Sequence, residues 1–181
     1  MAGGWLLKRV VALVVPKGAG KTTIGTLLEE RLGLRFVRTE PIFLSVRKAL
    51  GAQNPDYERH GFQAVLARMY EELTAVDTLC FESTGASASF PWLVAELGKR
   101  ADVLPVRVLA EPAQCLERIH GRDASLHIPL GDDQVTRINE LALRVTAPWA
   151  LELDNSGAFD ADVVVRQMGA LLGGRGPRGP G

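Results

Sequence analysis

Val10 to Val15 form an unbroken apolar run, VVALVV, as expected of a strand covered on both faces. After the polar turn that follows, Ile24, Leu27, Leu28 and Leu32 recur at helical spacing, and Gly33 supplies a stop. LRFV, Leu34 to Val37, reads as a second strand, so the chain opens as a βαβ unit. Phe62, Val65, Leu66, Met69, Tyr70 and Leu73 follow the i, i+3, i+4, i+7 pattern of a helix. Before them GAQNPDYERHG carries the Gly, Asn and Pro of a loop between two helical pieces. DTLCFE, Asp77 to Glu82, reads as a third strand. Phe90, Leu93, Val94 and Leu97 predict a short helix with Pro91 in its first turn.

PVRVL, Pro105 to Leu109, is the fourth strand, with Pro105 expected at its beginning because proline cannot donate within a central ladder. A helix from about Pro112 to Ile119 leads into the polar stretch HGRDASLHIPLGDD. Val135, Ile138, Leu141, Ala142 and Val145 mark another helix, ALEL (Ala150 to Leu153) a fifth strand, and Asp160 to Leu172 a last helix. No internal repeat is visible. Strands alternating with helices predict an α/β fold, a three-layer sandwich with a five-stranded parallel sheet and helices on both faces. Ligands in such sheets gather at the carboxyl ends of the strands. The polar segments 15–23, 38–41 and 82–89 each follow a strand, so they are expected to converge on one cleft.

Composition narrows the function classes. A chain of 181 residues that is 46% apolar is most economically one domain with a substantial core. Its formal net charge of zero argues against a polybasic nucleic-acid binder or an acidic disordered chain. Cys80 and Cys115 lie far apart in apolar stretches and read as buried thiols of a reducing compartment. His60, His120 and His127 lack metal-ligand spacing, so no zinc site is expected. The run after Lys8 and Arg9 is too short for a membrane span and leads into a glycine-lysine loop rather than a cleavage site. The expectation is a cytoplasmic monomer or homodimer with no nucleic-acid or membrane partner. Residues 1–172 form the domain, with a lid segment near 118–131. The tail GGRGPRGPG, 173–181, is too poor in apolar residues to order itself.

The chemistry starts at VVPKGAGKTT, Val14 to Thr23. The spacing G-x-x-x-x-G-K-[ST] fits Gly20, Lys21 and Thr22 but places Val15 where the first glycine belongs. In such a P-loop the backbone N–H groups of the turn and helix N-terminus point at phosphates, here those of Lys17, Gly18, Ala19, Gly20, Lys21, Thr22 and Thr23. The lysine reaches the outer phosphates of ATP and the hydroxyl of Thr22 holds Mg²⁺. A β-branched residue avoids positive φ, and the following Pro16 biases Val15 toward an extended conformation. The strand therefore continues through Val15 and the turn starts at Pro16, which leaves the phosphate cradle intact.

On GAGKTT, placed between strand and helix, the chain resembles the P-loop kinases of small molecules, the group that includes nucleoside monophosphate kinases and shikimate kinase. The resemblance covers Lys8 to Leu172 in the order of elements and implies a P-loop NTPase, nucleotide kinase-like architecture. RTEP, Arg38 to Pro41, follows the second strand, where these kinases begin their acceptor site; it is similar to the Arg-Glu-Pro run of thymidylate kinases with Thr39 inserted. Arg38 and Glu40 are the candidates there, the alternative for Glu40 being a solvated loop acid. FESTGAS, Phe81 to Ser87, resembles the segment that supplies metal-linked or acceptor-contacting groups, with Glu82, Ser83 and Thr84 as candidates.

ERIHGRD, Glu117 to Asp123, resembles the start of the kinase lid. Its Arg118 and Arg122, four apart, share one helical face if the helix continues that far, and lid arginines in the family clamp the transferring phosphates. DNSG, Asp154 to Gly157, matches where the family closes around adenine but is also a common turn. Arg47, Lys48, Arg59 and Arg68 are candidate receptors for an acceptor phosphate. The resemblance implies an Mg²⁺- and ATP-dependent phosphotransferase acting on a small acceptor such as a nucleotide, nucleoside or metabolite alcohol. Lys21 serves the phosphates, and Glu82 is a general base or metal-linked group. A nucleotide-binding switch with slow hydrolysis and a degenerate P-loop scaffold are the rivals.

Overall fold

The computed structural model describes residues 8–51, 53–121, 127–128 and 130–174. Its first strand, β1 (Arg9–Val14), shows directly why the run at 10–15 is apolar at every position. Val11, Leu13 and Val15 enter one buried cluster, while Val10, Ala12 and Val14 enter another on the opposite face. Period-2 alternation thus divides the strand between two cores. Helix α1 (Lys21–Leu32) and the last helix, α7 (Ala161–Gly174), supply Ile24, Leu28, Val164 and Met168 to the first core. Helices α3 (Tyr57–Ala75) and α4 (Phe90–Gly98) supply Val65, Met69, Leu93 and Leu97 to the second.

The remaining strands are β2 (Arg35–Val37), β3 (Thr78–Ser83), β4 (Asp102–Leu109) and β5 (Leu151–Asp154). They form one parallel sheet in the order β2-β3-β1-β4-β5, the α/β three-layer architecture expected. With β3 on one side of β1 and β4 on the other, the loop after β1 opens where the strand order reverses, the place where such sheets hold ligands. The other helices are α2 (Thr39–Leu50), α5 (Pro112–His120) and α6 (Asp132–Arg144). Among the described residues no helix is long and apolar enough to cross a membrane. Both cysteines are buried, and burial pushes the Cys80 thiol up to about 12, with the charges of Glu29 and Glu82 adding to it.

Three sequence expectations need correction. Pro105 does not begin β4; the strand starts three residues earlier, at Asp102. The Pro105 carbonyl accepts from Ala150 N–H at 2.8 Å, so its backbone faces the β5 side, whereas Asp102 N–H donates toward β1, to Lys8 O. The missing N–H thus falls on the flank where pairing with β5 begins only at Val106, and the β1 ladder loses nothing. Secondly, Gly61 is not in a loop but inside α3, whose start at Tyr57 confines the loop to the residues before it. A Cβ there would stand 2.1 Å from the Phe43 ring, so the glycine lets α2 and α3 close together. Lastly, α7 runs through Gly173 and Gly174; the rest of the expected tail, 175–181, lies outside the described residues.

Candidate active site

The phosphate loop is an ordered turn between β1 and α1. Val15 is fully buried and its N–H donates to Ser83 O at 2.9 Å, so strand pairing runs one bond past Val14. The turn closes from Ala19 N–H to Pro16 O at 3.2 Å, with Gly18 at φ +85. A side chain at Gly18 is excluded twice, by that φ and by a Cβ position 2.1 Å from the Cys115 carbonyl oxygen at the heart of α5. Gly20 then caps α1 in the left-handed conformation with no side-chain cap. Helix N-termini leave their first N–H groups without intrahelical acceptors, and those amides together with the helix dipole favour an anion.

Two asparagines brace this loop. Asn139, from α6, accepts from Lys17 N–H (2.7 Å, Oδ1) and donates to Lys17 O (3.0 Å, Nδ2), gripping both backbone polar groups of one residue. Asn155, just beyond β5, donates to Ala19 O at 2.9 Å. Both are buried. Sequence reasoning missed Asn139 and read DNSG either as the segment that closes around adenine or as a common turn. The signal for Asn139 was present: it lies i+4 from Val135 and i−3 from Ala142, a polar residue in an apolar stripe. The stripe itself also differs from expectation, because the buried face of α6 is Val135, Asn139 and Ala142 while Leu141 is 42% exposed.

Glu82 sits near the end of β3 with 4% of its surface exposed. Burial pushes its carboxyl up; Glu40 adds to the rise, while Lys21, Arg38 and Lys17 oppose it. The net result is a carboxylate above its ordinary range, next to the P-loop lysine, which is the disposition of a proton acceptor. Glu40, in the first turn of α2, is the opposite case. Burial pushes it up, but the Lys17 charge, a hydrogen bond from His127, the Ile128 N–H and the His127 charge together hold it below the usual carboxylate value. The distances are 3.4 Å to Lys17 Nζ, 2.8 Å to His127 Nδ1 and 3.0 Å to Ile128 N. Glu40 therefore ties the phosphate loop to the far end of the expected lid.

Lys17, Lys21, Glu40 and Glu82 line both halves of one cleft. The donor half adds Thr22, Ile119, His120 and His127. The acceptor half encloses about 300 Å³ and adds Phe43, Tyr57, Glu58, Ser83, Thr84 and Ser87. The sequence-selected residues of segments 15–23, 38–41 and 82–89 are thus brought together, with exceptions. Arg38 is exposed at the N-cap of α2 and does not line the cleft, although its charge reaches Glu82. Thr23 is exposed. Arg118 lies on α5, its guanidinium 3.4 Å from Gln114 Oε1, while its neighbours Ile119 and His120 face the cleft. Arg122 lies outside the described residues, as do 123–126 and 129 of the lid segment. Among the described residues no group of three or more His, Cys, Asp or Glu is placed to hold a metal, so an ion here would rest on the Thr22 hydroxyl, Glu82 and the phosphates themselves.

Comparison with known proteins agrees with this geometry. No family model matches the chain. It is 29% identical to a shikimate kinase of Halorhodospira halophila over 169 residues, covering 91% of this chain and 88% of that one. It is 30% identical to a shikimate kinase of Methylococcus capsulatus over 155 residues, covering 81% and 80%. The solved shikimate kinase of Aquifex aeolicus superposes with a TM-score of 0.61 at 16% identity, over 91% of this chain and 96% of that one, which shows the fold. A similarity of 30% that runs across four-fifths of both chains also carries the family with it, so this ATP-dependent kinase of a small metabolite belongs to the shikimate kinase family of P-loop small-molecule kinases.

Proposed function

We propose that the protein transfers the γ-phosphoryl group of ATP to a hydroxyl of a small metabolite bound beside Glu40, with Glu82 as general base. The carrying observation is the buried Glu82 carboxylate, raised in pKa and sharing one cleft with Lys21 and Thr22. In this reading the loop amides and Lys21 bind the triphosphate, and Thr22 with Glu82 would hold Mg²⁺, which neutralises charge on the β- and γ-phosphates when bound. Glu82 takes the acceptor hydroxyl proton as that oxygen bonds to the γ-phosphorus and the bond to the β-phosphate oxygen breaks, releasing ADP. Arg118 and Arg122 supply positive charge to the transferring group when the lid closes. The protein works in the cytoplasm, where ATP is at hand and the buried thiols of Cys80 and Cys115 stay reduced.

Glu82→Gln tests the assignment, because it keeps shape and removes the charge. A general base contributes typically about 10²–10⁴-fold, so phosphorylation of an acceptor should fall by that order while ATP affinity holds. Shikimate, the acceptor that names the relatives, belongs in the acceptor screen beside other metabolite alcohols. Loss accompanied by an altered Mg²⁺ dependence makes Glu82 chiefly a metal ligand; an unchanged rate removes it from the chemistry.

A further inference from the structure

The P-loop pattern assigns Lys17 to the phosphates through its backbone N–H, but that N–H donates to Asn139 Oδ1 at 2.7 Å, and Asn139 Nδ2 donates to the Lys17 carbonyl at 3.0 Å. What Lys17 offers a nucleotide therefore comes from its side chain. The clamp fixes the point at which that side chain leaves the loop. It runs across the cleft to Glu40 instead of out to solvent, with 22% of its surface exposed. Lys17 lines both halves of the cleft, in company with Lys21, Glu40, Glu82, Ile128 and Leu130 among the described residues. A phosphoryl group passing from donor to acceptor crosses this shared zone.

The ammonium has donors to spare. It carries three N–H groups, and among the described residues its one hydrogen bond goes to Glu40 Oε1 at 3.4 Å, longer than an ordinary N–H···O bond. Glu40 does not depend on that bond, because His127 Nδ1 stands 2.8 Å away and Ile128 N–H donates to it at 3.0 Å. Burial raises the carboxyls of both Glu40 and Glu82, and the Lys17 charge opposes the rise at each. The ammonium thus lies within electrostatic reach of both carboxylates. A partly buried cation with unspent donors is set to take the oxygens of an anion that arrives beside it.

We infer that Lys17 is a further catalytic residue, its ammonium contacting the γ-phosphoryl group while Lys21 reaches the same phosphates from the start of α1. The inference rests on the kinase reading above and adds a residue to it. During transfer the negative charge spreads over the outer oxygens of the phosphoryl group. Glu40 and Glu82 alone would repel that charge, and Lys17 offsets them at the point of transfer.

The test uses the full chain and needs no acceptor. ADP and the non-hydrolysable analogue AMPPNP, which differ by the γ-phosphoryl group, are titrated with Mg²⁺ by calorimetry. Wild type that binds neither ends the kinase reading and the inference with it; every other outcome bears on Lys17 alone. Lys17→Met keeps the stem and removes the charge. It should lose about tenfold in AMPPNP affinity while ADP affinity stays within about twofold of wild type. Because the loss of charge also leaves Glu40 less compensated, the double variant Lys17→Met/Glu40→Gln shows whether Lys17 merely masks that carboxylate. Direct contact leaves the double variant as weak for AMPPNP as Lys17→Met, whereas masking restores the wild-type ratio and overturns the inference. An equal loss for ADP and AMPPNP, the mark of a disturbed loop, overturns it too, as does an unchanged AMPPNP affinity.

Discussion

Asn139→Ala removes the side chain that grips both backbone polar groups of Lys17 in the hydrogen bonds described above, at 2.7 and 3.0 Å. Asn139 itself is buried, so its loss leaves a small polar cavity that water fills only in part. An unsatisfied buried peptide group costs about 1–3 kcal/mol. Lys17 is only half-buried and water reaches part of the vacated site, so the lower end applies to each group. Two groups then give roughly 2–3 kcal/mol, or a fall in Tm of about 5–10 °C for a chain of this size. The nucleotide responds separately, because the phosphate amides are aligned only while the turn after Pro16 keeps its shape. If half of that energy held the turn in its binding conformation, MgADP affinity drops about tenfold, at 1.4 kcal/mol per decade. Asn139→Asp is the sharper companion: it keeps an acceptor for Lys17 N–H but sets a carboxylate oxygen against Lys17 O and a negative charge near the phosphates, so it should bind nucleotide more weakly than the alanine variant. Calorimetric MgADP titration with parallel thermal melts reads both effects. If Asn139→Ala binds MgADP as wild type does and melts within about 1 °C of it, the asparagine is a passive neighbour and the bracing argument is wrong.

Three further outcomes follow from the same site. Lys21→Ala should sharply weaken MgATP binding or turnover with the fold intact, since it stands at the start of α1 facing the cleft; wild-type kinetics would remove the P-loop assignment. Val15→Gly strips a fully buried side chain from the core and frees the backbone, at roughly 0.8 kcal/mol per methylene-sized group plus up to about 1 for glycine, or about 3 kcal/mol in all. MgATP affinity should change only a few-fold, because the amides needed lie after Gly18, and a large gain in affinity from glycine would show that Val15 obstructs the site. Glu82→Gln should raise Tm at neutral pH even as it slows transfer by about 10²–10⁴-fold. The folded-state carboxyl lies above its ordinary value of 4.5, so the native state holds the proton longer and stability falls as pH rises through the raised value. The Tm difference between variant and wild type should shrink as pH is lowered toward 4.5, and a difference that grows on acidification contradicts the sign.

The sheet and the loop were readable because each is written locally. A run apolar at every position needs two cores, and VVALVV has them; GAGKTT needs a turn followed by a helix, and it has one. What stayed hidden depends on contacts between distant segments. Gly61 looks like a loop residue until the Phe43 ring is seen against it, and the stripe that marks Asn139 as buried does not name its partner, Lys17, 122 positions away. The lid end is another instance: nothing in the sequence joins His127 to Glu40, 87 positions away, yet they share a hydrogen bond. Glu40 and Glu82 were both selected for position alone. Their opposite pKa shifts come from neighbours, a lysine and a histidine for one and enclosure for the other.

Pro105 has one more consequence, for how the molecule meets other copies of itself. Because β5 begins opposite Val106, the first part of β4 extends past it with a flank that no strand of the sheet covers. Such exposed rungs template intermolecular strand addition, the first step toward aggregation. Backbone groups alternate sides, so on this flank the uncovered stretch Asp102–Pro105 presents the groups of Val103 and Pro105. Pro105 has no N–H to give, which leaves Val103 as the single donor there, too little to register a foreign strand. A residue that costs the native ladder nothing thereby closes this short flank of β4 against a foreign strand.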